Sequence, residues 1–178
     1  MKLYVVRHGA TDWNAKHVFQ GDNDIPLNDI GRNQALIVKE KLKDKTIDLC
    51  FTSPLSRARE TASIITDNKI PIFITSMLTE RNFGDYEGMK IEEVTLYDKY
   101  WDYKLNLKDN GVESVRDLFK RVSFFLKFID DNYDDGNILI VSHGATIRAL
   151  NYLITGFSED ENFLEFDVKN CSVFEYDL

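Results

Sequence analysis

At 178 residues, 43% hydrophobic and 29% charged, the chain has the size and composition of one globular domain with a substantial core. Its 22 Lys and Arg against 30 Asp and Glu leave a formal charge of -8, which disfavours nucleic acid or an anionic membrane as a partner and makes any anion site a local exception. Only four apolar residues, Leu3 to Val6, precede Arg7, too few for a secretion signal, and no window approaches the ~18 apolar residues of a membrane span, so a cytoplasmic location is expected.

Short β-rich runs alternate with helical segments, the pattern of an α/β fold with a largely parallel sheet. The first expected strand, Lys2–Arg7, breaks off into the loop that begins at His8. Asn28 is expected to cap a helix running to about Lys43. A strand over Ile47–Thr52 leads into "SPLSRARETASIITD", with Ser53 as the expected N-cap and Pro54 at the first helical position, where a missing N–H costs nothing. A further strand falls at Ile70–Thr75.

The section from about Arg81 to Gly111 has no strand pattern but carries Phe83, Tyr86, Tyr97, Tyr100, Trp101 and Tyr103, aromatics that suit either a small cap over a pocket or packing against the body. Ser114 and Asp117 resemble a capping box, and Val115, Leu118, Phe119, Val122, Phe125, Leu126 and Ile129 follow at helical spacing as one core-facing stripe. Asp130-Asp131 and Asp134-Asp135 mark a helix end and a solvated turn rather than a metal site. A strand at Asn137–Ser142, a helix over Ala145–Thr155 closed by Gly156, and two strands at Phe163–Val168 and Ser172–Tyr176 complete the chain. Cys50 and Cys171 have no metal-type spacing and read as reduced packing residues.

Two of the strands end in nearly the same wrapping, "LYVVRHGAT" and "ILIVSHGAT". Ligands of open parallel sheets bind beyond the carboxyl ends of the strands, so His8 and His143 are expected to be neighbours in space. The glycine after each permits a sharp turn and close approach of backbone N–H groups to a ligand. Arg57, early in the helix after another strand of the sheet, can bring a guanidinium fork to the same region, and Arg7, His8, Arg57 and His143 are then expected to converge as a positive pocket that phosphate fits best. An imidazole attacks phosphorus only through an unprotonated nitrogen. The two guanidinium groups are expected to lower the His8 pKa, and its other nitrogen to donate to a backbone carbonyl.

The motifs "RHGATDWN", "QGDNDIPLNDIG", "SPLSRARETA", "ERNFGDYEG", "GVES" and "VSHGATIRAL" resemble, in order and over roughly residues 3–150, those of the histidine phosphatase superfamily, the phosphoglycerate mutase-like proteins. The resemblance implies one domain over residues 1–178, a three-layer sandwich with helices on both faces of the sheet and a small cap at about 81–111. It implies that His8 accepts the phosphoryl group, that Arg7, Arg57 and His143 hold the phosphate, and that Glu80 donates the proton. Asn14 and the backbone N–H of Gly144 are implied to line the same pocket. Neither metal nor other cofactor is implied.

The activity so implied is hydrolysis of a small phosphorylated metabolite, with a cofactor-dependent phosphoglycerate mutase as the alternative and a non-catalytic phosphate-binding module as a third reading. Short relatives include α-ribazole phosphatases and broad-specificity phosphatases. The short chain favours hydrolysis, because mutases of this family carry longer insertions supplying Lys and Arg for the substrate carboxylate, for which Lys90 is a lone candidate here. Val112 stands where the phosphatases more often have a second glycine, and His17 has no assigned role. Substrate identity and oligomeric state are not legible.

Overall fold

The computed structural model describes residues 1–178. Five strands, β1 (Lys2–Arg7), β2 (Leu49–Thr52), β3 (Ile72–Ile74), β4 (Asn137–Ser142) and β5 (Val173–Asp177), form one sheet in the order β3-β2-β4-β1-β5. All neighbouring pairs are parallel except β1 with β5. The continuous apolar runs of β1 and β4 follow from this placement, since strands inside a parallel sheet are covered on both faces. Alternate residues serve opposite layers. Leu3, Val5, Ile138 and Ile140 pack with helices α4 (Val115–Asn132) and α5 (Gly144–Thr155), whereas Tyr4, Val6, Leu139 and Val141 pack with α2 (Asp29–Leu42) and α3 (Ser56–Thr66). Each such side chain stabilises the fold by roughly 1.5–3 kcal/mol on burial. A short helix, α1 (Asp12–Ala15), follows the first histidine loop.

Register decides where the chain delivers its chemistry. Arg7 pairs with Ser142, and both Val6 and Thr52 pair with Val141, so β1, β4 and β2 end level with one another. His8, His143 and the Ser53 turn therefore leave the sheet side by side.

Several expectations need correction. The helix after β2 starts at Ser56, not at Ser53 and Pro54: Ser53 Oγ accepts from Leu55 N at 3.2 Å, capping a turn that precedes the helix, and Leu55 is extended. The first helical N–H, at Ser56, donates to Asp24 Oδ1 at 2.6 Å, so the cap comes from a distant loop. Residues Phe163–Val168 form turns and no strand. Their apolar side chains do enter the core, with Phe163 wholly buried, but both edges of β1 are already taken by β4 and β5. Side chains occupy the carbonyls instead: Arg148 Nε donates to Phe166 O at 3.0 Å and Arg7 Nη1 to Val168 O at 2.6 Å. β3 also begins after Pro71, which has no N–H for a ladder.

Asn28 and Ser114 cap their helices as expected, accepting from Gly31 N at 2.9 Å and Asp117 N at 3.2 Å. No helix is long and apolar enough to cross a membrane. The start of α2 is pressed against the loop after His8. A Cβ on Gly9 would lie 2.4 Å from Gly31 O, and one on Gly31 would lie 2.2 Å from Ala10 O. Backbone on backbone has no flexible atom to yield, so Gly31→Ala is expected to lower stability by about 1–3 kcal/mol, measured by urea unfolding, through displacement of the His8 loop.

Candidate active site

At the carboxyl ends of β1 and β4 the two imidazoles meet, ring centroids 5.0 Å apart and tilted by 56°. Both are buried. His8 Nδ1 lies 2.7 Å from Gly9 O. A carbonyl only accepts, so Nδ1 carries the hydrogen and Nε2 keeps its lone pair. His143 makes no hydrogen bond at either ring nitrogen.

Two guanidinium groups face these rings. Arg57 Nη1 and Nη2 donate to Asn23 O at 2.7 Å and Gly21 O at 2.8 Å, and Arg7 Nη1 donates to Val168 O. Each Nε is buried without a partner. Backbone carbonyls orient both forks and no carboxylate forms an ion pair with either; Glu80 acts on both charges, and Asp24 and Glu87 on Arg57, only at longer range. The loop that holds Arg57 is itself held by Glu87, which accepts from Asp22 N at 3.2 Å, Asn23 Nδ2 at 2.6 Å and Phe83 N at 2.9 Å.

Burial and this positive charge act together. Burial first, then Arg7 and Arg57, hold the His8 pKa well below its ordinary value. The same holds for His143, through burial, then Arg57, His8 and Arg7. Burial pushes Arg57 down to about 10, still leaving it charged at neutral pH.

Glu80 lies at the amino end of α5. Its Oε1 accepts from Arg81 N at 2.8 Å, Ala145 N at 3.1 Å and Thr146 N at 3.3 Å, whereas Oε2 accepts only a 3.3 Å contact from Ala145 N. Glu80 forms no ion pair with the neighbouring Arg81. The Arg81 side chain is buried, donates to Glu113 O and Tyr100 O at 2.8 Å each, and lies 4.8 Å from the Trp101 ring centroid.

Arg7, His8, Asn14, Arg57, Glu80 and Gly144 line one cavity of about 200 Å³. His143 is not among these lining residues but packs against His8, with both ring nitrogens free of protein partners. The aromatic section divides between its two readings: Phe83, Tyr97 and Trp101 line the cavity, while Tyr103 packs on Phe119 and Phe163, and the Tyr86 and Tyr100 hydroxyls hydrogen-bond at 3.0 Å. His17 is exposed with a positive φ of 53°. Lys90 is exposed beside Glu92 and does not line the cavity.

Sequence reasoning missed Gln20, Arg148 and Asn170. Arg148 lines the cavity one helical turn after Gly144, a spacing of four that puts both on one face of α5 and could have flagged it. Asn170 carries no comparable signal, because it reaches the site from a loop far along the chain. No group of three or more His, Cys, Asp or Glu is arranged to hold a metal ion.

A family model described as histidine phosphatase superfamily (branch 1) matches residues 3–178. The chain is 42% identical to the uncharacterized phosphatase PhoE of Bacillus subtilis (strain 168), over 85% of this chain and 76% of that protein. It is 32% identical to 2,3-bisphosphoglycerate-dependent phosphoglycerate mutase 1 of Gloeobacter violaceus, over 89% and 86%. The fold matches a mutant phosphoserine phosphatase from Entamoeba histolytica in complex with phosphoserine, with a TM-score of 0.86 at 28% identity over 98% of this chain and 89% of that one. With two strand-end imidazoles, paired guanidinium groups and a match along nearly its whole length, this chain belongs to the histidine phosphatase superfamily, branch 1.

Proposed function

We propose that the protein hydrolyses small phosphomonoesters through a phosphohistidine on His8, residues 1–178 acting as one domain with segment 81–111 as its cap. The observation that carries this reading is the setting of His8: Nδ1 bound to Gly9 O, which leaves Nε2 as the free nitrogen, and two guanidinium groups beside it without an ion-pair partner. A phosphate dianion supplies the ion-pair partner that Arg7 and Arg57 lack, and Arg7, Arg57 and His143 hold its oxygens, with Asn14 and the Gly144 N–H at the rim. Phosphoryl transfer spreads charge over the equatorial oxygens, so positioning and charge stabilisation supply most of the rate.

Nε2 attacks phosphorus and the bond to the leaving oxygen breaks. Glu80 gives that oxygen a proton from Oε2, the oxygen not already engaged by three N–H groups. The resulting carboxylate then takes a proton from the water that cleaves phosphohistidine, restoring both groups.

The four residues of segment 81–111 that line the cavity, Phe83, Ile91, Tyr97 and Trp101, are uncharged, which supports hydrolysis over retention of a phosphorylated acid. A mutase reading rests on Arg148, the cation of the cavity wall outside the phosphate set. Assaying phosphate release from a panel of phosphorylated metabolites beside 3-phosphoglycerate isomerisation separates the two: hydrolysis is expected to dominate, and faster isomerisation would reverse the assignment.

His8→Ala is expected to abolish phosphate release, and EDTA to leave the wild-type rate unchanged. Glu80→Gln should lower kcat/KM for an alkyl phosphate by about 10²–10⁴-fold. The loss should be much smaller for p-nitrophenyl phosphate, whose leaving group needs little protonation.

Both histidines titrate lower in the folded chain than their ordinary 6.5, so the unfolded chain binds more protons as pH falls below that value. Stability on their account is fully present above pH 6.5 and declines as pH drops toward the folded values. Tm measured from pH 7.5 down to pH 5.5 should fall, and should fall less steeply in His143→Asn, on the order of 1.4 kcal/mol for each pH unit and each group.

A further inference from the structure

Accepting the phosphatase reading above, we propose that Asn170 is the positioning residue that aims the nucleophile and turns the amide of Asn14 toward the phosphate. Its Nδ2 lies 3.0 Å from His8 O and 3.2 Å from Asn14 Oδ1, one hydrogen for each acceptor.

The first bond acts on a peptide plane. His8 C=O and Gly9 N–H belong to the same planar unit. Asn170 holds its oxygen edge. Thr61 Oγ1 holds the other edge, accepting from Gly9 N at 3.1 Å while donating to Arg57 O at 2.7 Å. With that plane pinned on both sides, the next carbonyl, Gly9 O, is placed where His8 Nδ1–H meets it at 2.7 Å. The imidazole tautomer and the direction of Nε2 thus depend on a side chain 162 residues away.

The second bond acts on Asn14. Its Oδ1 accepts from Thr11 N at 3.1 Å as well as from Asn170, so the oxygen end of the amide is committed to protein donors. The NH₂ end is the one presented to the cavity that Asn14 lines, where it can donate to a phosphate oxygen.

Asn170 itself is held by main-chain bonds on either side. Cys171 N donates to Arg7 O at 3.1 Å, Arg7 N to Ser172 O at 3.3 Å, and Ser172 N to Lys169 O at 3.0 Å. Cys171 takes a left-handed turn, φ 57°, that returns the chain to β5. The segment Val168–Ser172 therefore grips Arg7, His8 and Asn14 together, and Asn170 is its one side chain that reaches both of the latter.

The test compares Asn170→Asp and Asn170→Ala with the wild-type chain in phosphate release from p-nitrophenyl phosphate, across pH 4.5 to 8. A misaimed nucleophile loses rate and a misturned Asn14 amide loses some binding, so kcat should fall on the order of 10- to 100-fold at pH 7.5 in both variants, with KM rising by a smaller factor. Asn170→Asp is isosteric but places only acceptors against two acceptors until its carboxyl is protonated and regains a donor. Its rate relative to wild type should therefore climb at least severalfold between pH 7.5 and pH 4.5, while that of Asn170→Ala stays flat. A purely structural role would move neither ratio with pH.

An unchanged kcat, a loss confined to KM, or an Asn170→Asp ratio flat with pH would overturn the proposal. If Asn170→Ala fails to fold, the pH ratio of Asn170→Asp decides alone. A wild-type chain that releases no phosphate refutes the phosphatase reading instead, which keeps the two failures apart.

Discussion

Buried positive charge with no ion-pair partner, at the carboxyl edge of the sheet, is the constraint around which the molecule is arranged. Arg7 and Arg57 are oriented by backbone carbonyls, not by carboxylates, and two buried imidazoles stand against them. Burying charge is costly unless something repays it locally, and carbonyl dipoles do so only in part. The rings answer by staying neutral. In the proposed reading a phosphate dianion completes the arrangement, a local exception in a chain with a formal charge of -8.

Several features of the fold serve that arrangement. Level strand ends bring His8 and His143 together, and the Gly9–Gly31 contact leaves the loop after β1 no room to drift. Glu87 ties the segment after Glu80 to the loop whose carbonyls hold Arg57. Glu80 itself supplies the cap that α5 lacks, since His143 offers its helix no side-chain acceptor. The proton donor of the proposed mechanism is thereby tied to the helix that follows the second histidine.

Much of this was legible in the sequence because the signals are local. Apolar runs ending in "RHG" and "SHG", the Asn28 and Ser114 caps and the α4 stripe each depend on a few neighbouring residues. Failures arose where a distant group substitutes for a local one. Ser53 looked like a helix cap, but Asp24 caps the helix and Ser53 caps the turn before it. Phe163–Val168 looked like a strand because its side chains alternate into the core, yet the sheet offered it no free edge and Arg7 and Arg148 took its carbonyls. Asn170 was invisible for the same reason: nothing near it in the chain announces that its amide meets His8. Local pattern predicts which elements form; which of them borrow hydrogen bonds from elsewhere depends on the packed whole.

The most direct test of the central claim is to mix enzyme and p-nitrophenyl phosphate, quench in alkali within milliseconds, and map the phosphorylated peptide by mass spectrometry. A phosphoryl group bonded to the His8 imidazole, absent from His8→Ala and formed no more slowly than phosphate is released, is the result the account predicts. Steady release of phosphate with no phosphorylated His8, or with the group on His143, would contradict it.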